Sequence, residues 1–113
     1  MKTGTIVLTR FPFTDLTSTK RRPAVILSKV DGNDTDVIVG FISSVIPKTL
    51  NDTDFVLQTV DIDFYKTGLK TISVFKMNKL ATLDSSIFTG ELGEVSPLIL
   101  EKLKICLRIA LDL

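Results

Sequence analysis

Val37-Ile38-Val39-Gly40-Phe41-Ile42 is an unbroken apolar run that stops at Ser43-Ser44. A run this short, rich in β-branched residues, reads as a strand covered on both faces; a buried helix would need roughly ten residues or more. Upstream, Asp31-Gly32-Asn33-Asp34 supplies the turn chemistry that starts it. Gly40 in mid-run costs stability unless the backbone bends or is closely approached there. In a small curled sheet a tight bend is the ordinary reason, ahead of contact with a ligand.

Toward the N-terminus, Pro23-Ala24-Val25-Ile26-Leu27-Ser28 forms a second strand and Thr5-Ile6-Val7-Leu8-Thr9 a first. Pro23 biases Arg22 toward extended backbone, so Arg22 stands at the strand entrance. Phe11-Pro12-Phe13 breaks the ladder because proline has no amide proton to donate. The segment from Thr14 to Arg21, with Asp15, Thr17, Ser18 and Thr19, reads as a solvated loop.

Toward the C-terminus, Phe55-Val56-Leu57 alternates weakly as a fourth strand, and Thr71 to Met77 alternates more clearly as a fifth, with Gly68 marking the turn between them. Ser96-Pro97 then opens a helix: the serine oxygen caps an early amide, and proline suits the first helical position. Glu101, Lys104, Arg108 and Asp112 share one face of it, and Ile99, Leu100, Leu103, Cys106, Leu107, Ala110 and Leu111 cover the rest. That apolar arc is wider than packing on one sheet requires. A core helix is the commoner cause of such an arc and a dimer seam the other. Short strands followed by a helix give an α+β domain spanning residues 1–113, its sheet curled into a small barrel.

With 113 residues the chain can build one core, so one site, or one shared between two copies, is expected. No stretch approaches the roughly 18 apolar residues of a membrane span, and Met1-Lys2-Thr3-Gly4 leads into a strand with no signal-peptide core, which points to the cytoplasm and away from a membrane. Cys106 is the single cysteine and there is no histidine, which sets aside an intrachain disulfide, a zinc site and a Cys-His nucleophile. Any catalyst here must work with Arg, Lys, Asp, Glu, Ser, Thr or Tyr. A formal net charge of +1 leaves nucleic acid open as a partner, because clustering matters more than the sum, and Lys20-Arg21-Arg22 is such a cluster. There is no Walker-type loop and no GxSxG elbow; Asp61 and Asp63 form an isolated pair in a solvated loop. No cofactor and no metal are implied.

Arg22 is the most informative side chain. A guanidinium held extended beside a proline can fork onto a phosphate, although a water-facing arginine is the commonplace alternative. Ser43 and Ser44 end the most apolar strand, where hydroxyls can serve a substrate or simply close the strand. Lys76 and Asn78, two apart, would share one face of the fifth strand, with a solvated edge as the plain alternative. Phe11 and Phe13 offer base-stacking faces or core, with core preferred.

Taken in order, Phe11-Pro12-Phe13-Thr14-Asp15-Leu16, Lys20 to Leu27 and Ile38 to Ser44 resemble the PemK/MazF-like toxins. The likeness continues through Gly68-Leu69-Lys70, Ser73-Val74, Lys79 to Asp84 and Gly90-Glu91-Leu92-Gly93, covering nearly the whole chain. The resemblance implies an SH3-like barrel with a C-terminal helix, a homodimer, and an enzyme that cleaves single-stranded RNA without a metal. It also implies a cognate antitoxin whose acidic segment covers the site. It places the catalytic pair on Arg22 and Ser43, assistance on Lys76 and Asn78, and RNA binding on Lys20, Arg21 and Ser44. Two departures stand out: the first loop lacks the Gly-Ser-Glu pattern of many members, and Asn78 occupies a place that is often Asp. A non-catalytic toxin that poisons a topoisomerase by contact, or a barrel that only binds RNA or peptide, are the other readings of such a fold.

Overall fold

The computed structural model describes residues 1–10, 20–33 and 35–113. The expectations for Phe11, Pro12 and Phe13, for loop residues 14–19 and for Asp34 lie outside these residues. The elements are β1 (Thr5–Thr9), β2 (Arg22–Ile26), β3 (Asp36–Ser43), β4 (Asp54–Leu57), β5 (Ser73–Asp84), β6 (Gly90–Glu94) and the helix α1 (Pro97–Leu111), with short 3-10 turns at Phe64–Thr67 and Ser85–Ile87. The six strands form one antiparallel sheet in the order β4-β5-β3-β2-β1-β6, curled into a half-barrel. The expected α+β architecture, a small curled sheet followed by one helix, is the observed one.

β3 lies between β2 and β5 and is covered on both faces at its centre. Ile42 joins Ile6, Val25, Phe75 and Met77 on the face that receives Ile99 and Leu103 of α1. Val37 and Val39 join Val7, Ala24 and Ile26 in a second cluster on the other face. Strand alternation divides the residues between these two clusters. Ile38, on the helix side, is left 41% exposed at the outer end of the strand, so the run is buried through its middle and opens at one end.

Gly40 marks an irregularity. It pairs with Leu80 while the next residue, Phe41, pairs with Lys76, so residues 77–79 have no counterpart on β3. A Cβ on Gly40 would come within 2.7 Å of the Met77 methyl. The glycine therefore serves the bend and the close packing across it. The irregularity falls within the stretch that holds Lys76 and Asn78, and the β3 pairing assigns no partner to Asn78. β5 also runs further than the alternating stretch Thr71 to Met77, through to Asp84.

α1 begins as expected, with Ser96 accepting a hydrogen bond from the Ile99 amide at 3.2 Å and Pro97 in its first turn. Only Ile99 and Leu103 are buried on the helix, while Leu98, Ile105, Ile109 and Leu111 are exposed. The helix is thus not wholly a core helix; a second apolar stripe faces outward. Among the described residues, no helix is long and apolar enough to cross a membrane.

The turn Phe64–Thr67 ties the open sides of the curl together. It lies against β6 backbone to backbone: a Cβ on Gly93 would fall on the Lys66 carbonyl, and one on Gly68 on the Leu92 carbonyl. Gly68 also holds φ 71°, the left-handed region that glycine adopts without strain.

Candidate functional site

Arg22 opens β2, where the following Pro23 keeps the backbone extended, and pairs across the sheet with Thr9 of β1. The β2–β3 register sets Ala24 opposite Phe41. That pairing ends at Ala24, and Ser43, the last residue of β3, pairs with Val74 of β5. Alternation puts Thr9, Arg22 and Ser43 on the sheet face of Val7, Ala24 and Val39, the face turned away from α1. Thr9 is fully buried, Ser43 is buried and Arg22 is half-buried. The Ser43 hydroxyl oxygen accepts the Val45 amide at 3.1 Å, a bond that fixes the side chain and leaves its proton to be donated.

Ala24, Phe41 and Lys76 form a row on that face. Lys76 thus stands diagonal to Ser43, with its half-buried stem beside Phe41. The Lys79 ammonium lies 5.9 Å from the Phe41 ring centroid. Asn78 is exposed at the bulge and is given no partner by the β3 pairing.

At the same end of the sheet, described residues line a cleft of about 380 Å³. Its floor is Leu8, Pro23 and Ile42, and Leu69 and Leu92 stand at its sides. Lys20, Arg21 and Arg22 line it together with Ser44, Lys70 and Thr71, and no carboxylate is among its described lining residues. Four of the expected site residues, Lys20, Arg21, Arg22 and Ser44, therefore meet at one cleft, whereas Ser43, Lys76 and Asn78 are not part of its wall. Lys70 is the residue that sequence reading passed over. Its cue was the stretch Gly68-Leu69-Lys70, a left-handed turn followed by a cation, but nothing in the spacing places that turn beside Arg21.

Arg21, Arg22 and Lys70 give the described part of the cleft a positive lining. Among the described residues no group of three or more His, Cys, Asp or Glu side chains is placed to hold a metal ion. Among the described residues, the two resolved pKa shifts lie elsewhere. Asp84 is lowered by the hydrogen bonds it accepts, first from Ser86 and then from Thr35. The Cys106 thiol is raised, first by burial and then by the Asp54 and Asp52 carboxylates.

Fold and cleft together define a small half-barrel protein with cations lining a cleft at one end of its sheet. The family model of the PemK-like, MazF-like toxins of type II toxin-antitoxin systems matches residues 2–111. The chain belongs to that family. Among solved structures, an endoribonuclease in complex with its cognate antitoxin from a Mycobacterial species superposes with a TM-score of 0.75 at 21% identity, covering 100% of this chain and 96% of the other. The Mycobacterium tuberculosis toxin MazF-mt6 gives 0.72 at 20% identity, covering 97% of each chain. MazF from Deinococcus radiodurans gives 0.71 at 18% identity, covering 99% of this chain and 96% of the other. A search of curated proteins by sequence finds no match.

Proposed function

We propose that the chain is the toxin of a type II toxin-antitoxin pair and cuts single-stranded RNA using the RNA's own 2′-hydroxyl as nucleophile. The observation that carries this reading is the gathering of Arg21, Arg22, Ser44 and Lys70 at one cleft, with no carboxylate among its described lining residues, at the end of the sheet where β3 closes with Ser43. A strand held in the cleft presents a 2′-hydroxyl beside each phosphate, so the protein need only orient that group in line. The 2′-oxygen–phosphorus bond forms and the phosphorus–5′-oxygen bond breaks. The 2′-hydroxyl gives up its proton and the departing 5′-oxygen takes one. The products are a 2′,3′-cyclic phosphate and a 5′-hydroxyl end.

Arg22 holds its charge throughout, and its planar fork is suited to two phosphate oxygens as negative charge builds on them. Ser43, one strand away, donates its hydroxyl proton to a phosphate oxygen or to the attacking group. Lys76, paired with Phe41 on the face of Ser43, adds positive charge there, and the assisting role that the resemblance gives to Asn78 is proposed without a contact to that face. Lys20, Arg21 and Ser44 hold the strand. An acidic segment of a cognate antitoxin competes for Lys20, Arg21 and Arg22, by the same charge complementarity that attracts RNA. A similar structure holds an endoribonuclease with its cognate antitoxin, which supports that pairing. The outward apolar stripe of α1 supports a homodimer. Nothing in the chain calls for a membrane, and the working compartment is the cytoplasm.

The test is incubation of the purified protein with a labelled RNA, and with its fully 2′-deoxy counterpart, in EDTA. RNA shortened to cyclic-phosphate ends with the deoxy strand intact is the expected result. A strict magnesium requirement, or cutting of the deoxy strand, would reject the mechanism. An unshortened RNA would leave a binding or protein-contact role in its place.

A further inference from the structure

The sides of the cleft are held in place by bonds whose only evident product is the position of three residues. The Thr67 side chain is fully buried; its hydroxyl donates to the Phe64 carbonyl at 2.6 Å and accepts the Leu69 amide at 3.2 Å. On the other flank, the buried Ser73 hydroxyl donates to the Thr71 carbonyl at 2.9 Å. Between these anchors stand Leu69, Lys70 and Thr71, all lining the cleft. Gly68 and Gly93, where no Cβ fits, press this segment directly onto β6. The segment is thus anchored at both flanks and braced from behind, so Lys70 is presented on a fixed backbone although its own side chain is exposed.

The cleft combines two chemistries. Its floor and sides are apolar, from Leu8, Pro23, Ile42, Leu69 and Leu92, and its cations stand on separate chain segments, Arg21 and Arg22 at β2 and Lys70 on the braced segment. A bare anion has no use for the apolar floor, and an apolar ligand has none for the cations. A nucleotide uses both, with a flat base over the floor and a phosphate between the cations. Hydroxyls of Ser44 and Thr71 at the cleft suit the polar edge of a base. At about 380 Å³ the cleft falls within the roughly 300–1,000 Å³ of small-ligand sites.

We propose that this cleft is a nucleotide subsite next to the scissile phosphate, in which one unstacked base lies against Leu69 and Leu92 while Lys70 grips its phosphate from the side opposite Arg21 and Arg22. The inference rests on the reading of the chain as acting on RNA, and it assigns Lys70 to substrate binding and not to bond breaking.

The experiment measures binding of a short RNA of mixed sequence, 2′-O-methylated at every ribose so that it cannot be cut, and of the same strand made fully abasic. Wild type, Lys70→Ala, Leu69→Ala and Leu92→Ala are compared across salt concentrations, each first shown to melt cooperatively. Wild type should bind the base-bearing strand more tightly than the abasic one, and Leu69→Ala or Leu92→Ala should shrink that difference. Lys70→Ala should lower the slope of log affinity against log salt by about 0.7, the value for one phosphate contact on a single strand. With cleavable RNA it should raise KM and leave kcat in place. An unchanged slope and KM in Lys70→Ala, or equal wild-type affinity for both strands, would overturn the subsite, whatever the variant does to an acidic protein partner. A wild type that binds the methylated strand in this manner yet never cuts RNA would keep the subsite and remove the nuclease. A wild type that binds neither strand would remove both.

Discussion

At the scale of single residues, the position of Arg22 follows from a few neighbours. Pro23 keeps its backbone extended and Thr9 of β1 pairs with it on one side. Replacing Arg22 by Ala should lower the RNA cleavage rate by about 10² to 10³, the range for loss of one preorganised donor. Arg22→Lys should recover part of that, keeping the charge but not the planar fork. Cleavage assays beside thermal melting check this, and a well-folded Arg22→Ala protein cutting near the wild-type rate would remove Arg22 from the site. Cys106 gives a second test. Its raised pKa, from burial and from the Asp54 and Asp52 carboxylates, leaves less thiolate than an ordinary thiol at a given pH. Alkylation by iodoacetamide at pH 8 should run slower than for a small free thiol and should rise with pH to a later midpoint. Asp54→Asn should speed it at that pH, because removing a nearby negative charge lowers the thiol pKa.

At the scale of elements, what was legible in the sequence is what short-range rules govern. Thr5–Thr9 matches β1 residue for residue, and Ser96-Pro97 marks the helix start because capping is a three-residue affair. β6 was not legible: Gly90-Glu91-Leu92-Gly93-Glu94 has one apolar residue and two glycines, and is a strand because β1 offers an edge to pair with. The bulge was equally hidden, since it arises from packing Met77 over Gly40 and not from any turn residue. For the site, Arg21, Arg22 and Ser44 were readable as a strand entrance and a strand end, while Lys70 reaches the cleft through a turn braced on β6, a contact distant in sequence. That brace can be measured. Gly93→Ala drives a Cβ onto the Lys66 carbonyl and should cost about 1–3 kcal/mol or more, the range of overpacking, whereas Gly90→Ala on the same strand meets open space and should be near neutral. Ser96→Ala, losing one cap bond, should cost roughly 0.5–2 kcal/mol. Urea denaturation of the three variants ranks them, and a Gly93→Ala protein as stable as Gly90→Ala would dissolve the account of the cleft's rigidity.

At the scale of the whole molecule, the sheet satisfies both of its faces, but the helix does not satisfy its own. Leu98, Ile105, Ile109 and Leu111 remain exposed, and Leu107 and Leu111 border a groove of about 340 Å³ whose far side is Leu27, Ile38 and Leu80. No charged residue is among its described lining residues. The groove lies on another side of the helix from Leu98, Ile105 and Ile109, and exposed apolar surface such as it presents marks an association site more often than ordinary surface does, since its removal from water gains about 25 cal/mol per Å². Pairing across a two-fold axis lets one self-complementary patch cover another, which is the economical solution for a chain of this size. Light scattering at micromolar concentration should therefore report twice the mass of one chain, and the melting temperature should rise with protein concentration, as it must when association stabilises the fold. Ile38→Glu and Leu111→Glu each place a charge in the groove at an already exposed position, so the fold should persist while the dimer weakens. Both variants should shift to the single-chain mass and lose the concentration dependence of melting. A wild type that scatters as one chain at all accessible concentrations, or variants that stay paired with a buried glutamate at the seam, would mean that this groove is covered by something other than a second copy.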